Sequence, residues 1–500
     1  MRRLQLPAVL HNWVSYAGAA IAALALTAIA FLFLLISLRG GEAPYAGIIT
    51  FVVLPAVMLV GLALVPIGML IEWRQARRTG RHSIPRFPVI DLNLPHHRNA
   101  VVLFAGGSVL LLFLSAFGSF EAYEATESVA FCGTTCHVPM EPEYTTYQNS
   151  PHARVRCVEC HVGPGADWYV KSKLNGLYQV YSVLFDKFPR PIPGTIAKLR
   201  PAQDTCEQCH WPDKFFGSQQ LRRVHYLADE TNTRWEISLL VKTGGTQSIG
   251  EQGQGIHWHM NIDNRIEYVA TDQDRQQIPW IRATNRATGE TTVYTKGTPI
   301  PEAQLATLNV RVMDCMDCHN RPAHILRSPK ESISRALQLG DIDPSLPSIV
   351  ETGVELLKAP YSSVPEAMTA IQDGILRHYQ EEYPEIAETR RADLEQAIAA
   401  LQEIYRKNFF PEMKARWDVY PNNIGHLEFP GCFRCHDGEH RSADGKVVTA
   451  DCNSCHVIIG QGRPDEMAFS LQPEGLPFEH PGDVGDAIEG MLCPDCHAPE

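Results

Sequence analysis

The 500-residue sequence predicts a mainly α protein that begins with three transmembrane helices and continues into an outer domain of short helices and loops with a small β insertion. Three observations predict this class. Apolar runs at about 13–38, 45–71 and 100–120 each suit a helix of the roughly 20 residues that crosses a bilayer. Fourteen cysteines follow, all in pairs on short segments. Residues 232–300 alternate apolar and polar residues between turn signals, as strands do.

The apolar runs predict a membrane anchor over residues 1–121. Buried helices of a soluble core are the alternative, but three such runs in succession, with no apolar partner elsewhere, favour the membrane. A cleavable signal peptide is the alternative for the first run. Its apolar stretch is much longer than the roughly 7–15 residues typical of such signals.

Arginine residues predict the orientation of this anchor. The connection between the second and third runs holds six arginines between Arg74 and Arg98, whereas the connection between the first and second runs holds Arg39. Positively charged loops stay in the cytoplasm. The N-terminus is therefore expected in the cytoplasm of a bacterium, with everything after Phe120 on the periplasmic side of the inner membrane.

Every cysteine belongs to a pair that is followed directly by a histidine. Six pairs read C-x-x-C-H, and the first, Cys132-Gly-Thr-Thr-Cys136-His137, has one extra residue. This pattern is the attachment signature of c-type haem, since two thiols one turn apart bond to one porphyrin and the histidine reaches its iron. The sequence thus predicts seven covalent haems, attached through Cys132, Cys136, Cys157, Cys160, Cys206, Cys209, Cys315, Cys318, Cys432, Cys435, Cys452, Cys455, Cys493 and Cys496, with His137, His161, His210, His319, His436, His456 and His497 as the motif ligands.

Three other kinds of cysteine site fit this pattern less well. A zinc ribbon combines two C-x-x-C units and needs no histidine after each. A disulfide framework uses an even number of cysteines but does not explain the histidines. A thioredoxin-like redox motif occurs once, near a βαβ pattern.

Each iron also needs a second axial ligand, and imidazole is the usual one in low-potential haems. Nine histidines after Phe120 lie outside the motifs. Their context favours His152, His324, His426, His440, His480 and one of His257 and His259 as ligands. His225 and His378 lie on ordinary segments and are expected to be bystanders. Met140 follows His137 by three residues and is the candidate thioether ligand of the first haem; whether His137 or Met140 binds that iron stays open.

The motifs and the periodicity divide the outer part of the chain into four segments. A three-haem domain comes first, then a β-containing insertion with the fourth haem, a helical segment, and a second three-haem domain. The predicted bounds are 122–225, 226–330, 331–420 and 421–500.

The charge of the chain excludes one class of partner. The net charge is −12, and residues 1–100 contribute nine arginines against three acidic residues, so the outer 400 residues carry −18. A nucleic-acid partner is therefore disfavoured. The acidic outer part instead favours basic protein partners.

Residues 100–212 resemble the NapC/NirT family of membrane-anchored quinol dehydrogenase cytochromes. The matching features are a membrane helix that ends at Phe120, the segment "CHVPMEPEYTTYQNSPHARVRCVECHVGPGADWYVKSKLNGLYQ", and "PRPIPGTIAKLRPAQDTCEQCHWP". The resemblance implies Met140 as a ligand of the first haem and His152 as a distal ligand of another. It also implies a quinol site with Lys173, next Lys171, and then Asp167 and Gln179.

The chain is longer than the short members of this family, which have four haems and one membrane helix. It is similar instead to the heptahaem inner-membrane cytochromes of metal-reducing bacteria, the ImcH type. That likeness implies oxidation of membrane quinol, menaquinol or ubiquinol, and electron transfer through the haems to a periplasmic cytochrome or reductase in anaerobic or extracellular respiration.

Two other functions remain as alternatives. A multihaem terminal reductase of the nitrite or hydroxylamine type needs an iron with an open position; the sequence has no C-x-x-C-K variant, and its histidines are numerous enough to fill every site. An electron-relay subunit of a larger respiratory complex would carry haems without contacting quinol.

Overall fold

The computed structural model describes residues 12–39, 50, 53–79, 91–163, 166–194, 200–211, 217–244, 255–482, 484–485 and 491–499. The chain divides into two compact units, Met1–His137 and Val138–Glu500. The structure is mainly helical and contains small sheets, which confirms these parts of the predicted fold class.

Long apolar helices make up the first unit. They are α1 (Trp13–Arg39), α2 (Leu54–Thr79) and α3 (Pro95–Thr126), followed by the short α4 (Val129–Thr134). Two segments, Trp13–Leu32 and Leu54–Ala76, are long and apolar enough to cross a membrane. The third predicted span lies within α3 and stays a prediction, because several of its side chains lie outside the described residues.

Helices α1 and α2 pack as an antiparallel pair whose backbones approach closely at glycines. A Cβ on Gly61 would lie 2.7 Å from the Ala22 nitrogen and 2.8 Å from the Gly18 oxygen. The Ser15 hydroxyl also donates to the Val65 carbonyl at 3.0 Å. Small residues at such contacts allow membrane helices to associate through close van der Waals packing.

We expect Gly61→Leu to separate α1 from α2, because a leucine there must displace helix backbone rather than a flexible side chain. The measurement is the yield and the unfolding temperature of the detergent-solubilised protein, and both should fall. Gly106→Leu is the matched control, since nothing lies within 4 Å of a Cβ built on this helical glycine. Equal losses for the two variants would contradict this packing.

Short helices open the second unit. They are α5 (His137–Gln148), α6 (Cys157–His161), α7 (Ala166–Leu184) and α8 (Ala202–Thr205), with α5 starting at the last residue of the first unit. Two sheets follow, with strand orders β1-β2-β10-β11 and β6-β3-β4-β5-β9. Their strands are β1 (Gln219–Tyr226), β2 (Arg234–Val241), β3 (Asn264–Val269), β4 (Trp280–Asn285), β5 (Thr291–Thr295), β6 (Arg311–Val312), β9 (Arg441–Ser442), β10 (His456–Gly462) and β11 (Ala468–Phe469).

The sheets extend beyond the stretch in which strands were expected. β2, β3, β4 and β5 lie within the predicted region, but β1 precedes it, β6 follows it, and β9, β10 and β11 come from the last 60 residues. β10 pairs with β2 in antiparallel register, with His456 opposite Val241. The C-terminal haem motifs are thus fixed to the β-containing region by backbone hydrogen bonds.

Five helices between the two groups of motifs build the main apolar core. They are α11 (Pro329–Leu339), α12 (Ile349–Lys358), α13 (Val364–Glu382), α14 (Pro384–Thr389) and α15 (Arg391–Asn408). Their apolar stripes bury Ile333, Leu357, Ile371 and Leu401 completely. Short α9 (Glu302–Leu305), α10 (Cys315–Cys318), α16 (Cys493–His497) and a two-stranded ribbon of β7 (Phe409–Phe410) and β8 (Ala415–Arg416) complete the fold.

Candidate haem centres

Each C-x-x-C-H motif of the second unit coincides with a single helical turn. Three motifs form α6, α10 and α16, and three form 3₁₀ turns at Cys206–Gln208, Gly431–Arg434 and Cys452–Ser454. One turn brings residues i and i+3 to the same face, so both thiols point to one side. In α10, Asp314 and Asp317 form a reciprocal capping box that fixes the turn.

Each motif histidine of the second unit lies opposite one histidine from another part of the chain. The ring centroids are 5.9–6.5 Å apart in all six pairs. We number the sites by motif: site 2 is His161/His324, site 3 is His210/His152, site 4 is His319/His257, site 5 is His436/His259, site 6 is His456/His426 and site 7 is His497/His480.

The separation within these pairs fits one iron between two imidazoles. A metal–nitrogen bond is about 2 Å, so two rings on opposite sides of an iron have centroids roughly 6 Å apart. The second ring nitrogen of a metal ligand normally donates to a carbonyl, which fixes the ring orientation. Nδ1 lies 2.6–3.2 Å from a carbonyl oxygen in His152, His257, His259, His324, His436 and His480, so Nε2 is the nitrogen through which each ring would bind a metal.

Burial also favours the ligating form of these rings. Removal from water on burial is the main reason why the pKa values of seven rings are lowered. They are His161, His259, His319, His324, His426, His456 and His497. A neutral imidazole carries the free lone pair that binds iron. The residues present therefore fit bis-histidine haem.

The competing cysteine sites find no support in this arrangement. All 14 cysteines lie among the described residues, and none is joined in a disulfide. Within the described ranges, no group of three or more His, Cys, Asp and Glu side chains is arranged to hold a metal ion. A porphyrin iron needs two axial ligands from the protein, which a histidine pair supplies, and not a cluster of four protein ligands.

Two of the predicted distal positions require correction. His257 and His259 were expected to be alternatives, but each faces its own motif histidine. His440 was expected to be a ligand, but it is fully buried, with Nδ1 2.9 Å from Asp437 Oδ1 and Nε2 2.6 Å from the Ile278 carbonyl. Both ring nitrogens of His440 have hydrogen-bond partners, and the ring that faces His436 is that of His259.

The two histidines expected to be bystanders lie away from the pairs. His225 is on β1, opposite Trp235 of β2. The ring of His378 packs against Tyr379 and Tyr383 in the helical core.

The first motif lies at the end of the first unit. Cys132 is in α4, and His137 begins α5, whose first turn contains Met140. His137 is exposed and Met140 is half-buried. The roles of His137 and Met140 at the first iron stay predictions.

The residues implied for a quinol site lie on α7. Lys173 Nζ lies 4.8 Å from the Tyr169 ring centroid, and Lys171 Nζ lies 4.5 Å from that of Trp168. Gln179 is exposed, and the side chain of Asp167 lies outside the described residues. The same helix exposes a large apolar surface, formed by Val170, Leu174, Leu177, Tyr178, Tyr181 and Leu184.

A buried charge cluster at motif four could not be recognised from the sequence. Asp317, the residue between Met316 and Cys318, is 2% exposed. It accepts from the Tyr268 hydroxyl at 2.6 Å, from Arg311 Nε at 2.6 Å and from Arg275 Nη1 at 3.0 Å. Arg311 is only six residues before Asp317, but Tyr268 and Arg275 come from a segment more than 40 residues earlier, a contact that no local pattern signals.

Comparisons with known proteins agree with this chemistry. Residues 95–191 match the NapC/NirT cytochrome c family, N-terminal region. The chain is similar to the cytochrome c-type protein ImcH of Geobacter sulfurreducens, with 42% identity over 491 residues, which cover 98% of this chain and 95% of the relative. It is 28% identical to the cytochrome c-type protein NrfH of Wolinella succinogenes over 113 residues, 21% of this chain and 63% of the relative. No solved structure matches.

Proposed function

Because this chain belongs to the membrane-anchored multihaem c-type cytochromes of the NapC/NirT family, we propose that it oxidises membrane quinol and passes the electrons through seven haems to a periplasmic acceptor. The anchor would lie in a bacterial inner membrane with its N-terminus in the cytoplasm. The haem-bearing part would lie in the periplasm, the oxidising compartment where c-type haems are attached.

The single observation that carries this proposal is the set of six histidine pairs. The assignment follows from it: each pair supplies both axial ligands of one haem, and the two cysteines of its motif hold the porphyrin. A seventh haem is assigned to Cys132 and Cys136, with Met140 as its candidate ligand. Haem supplies one-electron redox chemistry, and the protein supplies position, ligands and burial.

Pairs of this kind favour electron transfer over a terminal reductase. A reductase needs an iron with an open coordination position for its substrate, whereas both axial positions are supplied in sites 2 to 7. The visible spectrum of the purified protein should accordingly be dominated by low-spin haem.

Quinol oxidation releases two electrons and two protons. In this proposal Lys173 Nζ binds a quinol oxygen and orients the quinol. The exposed apolar face of α7 contacts the acyl chains of the membrane lipids, from which the quinol arrives. The electrons leave the quinol one at a time, and the protons leave on the periplasmic side.

We expect Lys173→Gln to slow quinol-driven haem reduction in proteoliposomes by about tenfold to a hundredfold, the effect of losing one hydrogen bond from a charged donor. A reduced menaquinone analogue serves as the donor. Lys171→Gln, two residues away on the same helix, is the matched control and should change the rate less than twofold.

The dithionite-reduced spectrum must be unchanged in both variants, so that haem loading is not the cause. Wild-type protein that takes no electrons from quinol on a catalytic timescale would favour the relay-subunit alternative. Slowing by Lys171→Gln alone would move the quinol site to Lys171.

A further inference from the structure

Sites 3, 4 and 5 adjoin one another in the order of the sequence. The sulfur atoms of Cys206 and Cys315, which belong to sites 3 and 4, lie next to each other. Between sites 4 and 5, Arg434 Nη2 donates at 2.7 Å to the Asp317 carbonyl, which joins the middle residues of the two motifs. Sites 4 and 5 also take their distal ligands, His257 and His259, from one five-residue 3₁₀ helix, Ile256–Met260.

The series continues through sites 6 and 7. His436 of site 5 lies with Nδ1 2.9 Å from the carbonyl oxygen of Thr449, just before motif six. Strand β10 begins at His456 of site 6, and its buried Gln461 binds the segment that leads to site 7. Gln461 Nε2 donates to the Pro477 carbonyl at 2.6 Å, and its Oε1 accepts from the Glu479 backbone at 3.2 Å. His480 follows directly.

Site 7 lies at an exposed end of this series. Its Cys496 is exposed, and Phe478, 45% exposed, lies with its ring centroid 6.3 Å from that of His480. Exposed apolar side chains also occur on the neighbouring segment, at Phe469 and Leu471. An aromatic group held beside a terminal redox site and open to solvent suits contact with a second redox protein.

The chain segment that carries site 7 is strongly acidic. The 37 residues after Arg463 contain nine acidic residues and no lysine or arginine. Asp465, Glu466, Glu474, Glu479 and Asp495 are described and exposed. Burial lowers the pKa of His497, and one positive charge, that of Lys330 at the start of α11, also lies near enough to lower it. An apolar contact with an acidic rim attracts a basic partner and increases its association rate.

We propose that site 7 is the electron exit of this protein, where a small, soluble, lysine-rich redox protein docks on the acidic surface around Phe478. The direction of transfer rests on the proposed function, since the segment that matches the family, residues 95–191, holds the first two motifs and thus the entry end. One electron leaves the protein at each encounter and reduces one acceptor molecule.

The test measures binding rather than turnover. The holoprotein in detergent is titrated calorimetrically with a lysine-rich mitochondrial cytochrome c at low ionic strength. We expect Glu474→Lys/Glu479→Lys to raise the Kd at least tenfold and to weaken its salt dependence. Glu385→Lys/Glu388→Lys, on α14, changes the net charge equally at exposed positions and should alter the Kd less than twofold. The proposal would be overturned if both double variants weakened binding of the cytochrome equally, or if neither of them weakened it.

Phe478→Ala provides a second measurement that does not change charge. It should weaken binding several-fold while the low-spin spectrum stays intact; unchanged binding would remove Phe478 from the contact and overturn the assignment of site 7. Transfer to the probe is measured separately with dithionite-reduced protein, so failure of quinol oxidation leaves this test unaffected. Wild-type protein that accepts quinol electrons but does not bind the probe would reject the exit site alone.

Discussion

In the proposed assignment of seven haems, replacing His259 by alanine should convert one of them from low-spin to high-spin. His259 faces His436 at 5.9 Å between ring centroids, with the ring planes 87° apart. Removing one axial imidazole leaves that iron five-coordinate, so about a seventh of the haem absorbance should shift. Electron paramagnetic resonance provides a second readout, because perpendicular and parallel imidazole planes give different low-spin signals. The rings of site 4 are parallel within 2°.

His440→Ala is the decisive comparison, since this residue lies four positions after His436. The variant should lose stability, because Asp437 and the Ile278 carbonyl lose a buried hydrogen-bond donor, while every haem stays low-spin. His378→Ala controls for the loss of an imidazole outside the haem sites. A high-spin signal in His440→Ala together with an unchanged spectrum in His259→Ala would reverse the assignment of site 5.

Asp317→Ala should lower the free energy of unfolding by about 3–5 kcal/mol, the effect of removing one partner from a buried ion pair. Arg275, Arg311 and the Tyr268 hydroxyl would lose their shared acceptor at a position that is 2% exposed. Burial, and then the charge of Asp317, raises the pKa of Tyr268, so this hydroxyl stays a donor at neutral pH. The same change removes the capping box that holds motif four.

Chemical denaturation of the holoprotein followed by far-ultraviolet circular dichroism measures this loss. Glu395→Ala removes an exposed ion pair with Arg391 and should cost less than about 1 kcal/mol. Asp317→Asn keeps the shape of the side chain and should fall between the two. A loss for Asp317→Ala no larger than that for Glu395→Ala would show that the cluster does not stabilise the fold.

The haem motifs could be predicted from the sequence because all their determinants are local. The two cysteines and the histidine of each motif lie within five or six residues, so no distant contact is needed to recognise them. The same holds for the apolar helices α1 and α2, whose length and composition are visible in the chain itself.

The distal ligands could be predicted only in part, because each comes from a segment that the fold brings close. His257 and His259 are two residues apart, which suggested alternatives for one iron. They lie on a 3₁₀ helix with three residues per turn, so their side chains point in different directions and reach two motifs. His440 was predicted to be a ligand because it is close to motif five in sequence, but that closeness does not reveal the buried acceptors that its ring contacts in the structure.

The sheets illustrate the same limit. Alternation predicted strands between residues 232 and 300, but pairing of β2 with β10 joins segments more than 200 residues apart. Such pairing depends on side-chain packing across the sheet and on backbone hydrogen bonds between the strands. The sequence of either segment alone does not indicate these contacts.

The pairing of His161 with His324 has a consequence for biogenesis. In the proposed topology, a chain exported from its N-terminus would present motif two to the attachment machinery long before His324 emerges, because the first strands of both sheets lie between the two residues. In the proposed assignment, the newly attached porphyrin stays coordinatively unsaturated throughout that interval. A stalled or truncated secretion intermediate would therefore carry a reactive iron, exposed to oxygen and peroxide, until translocation passes residue 324.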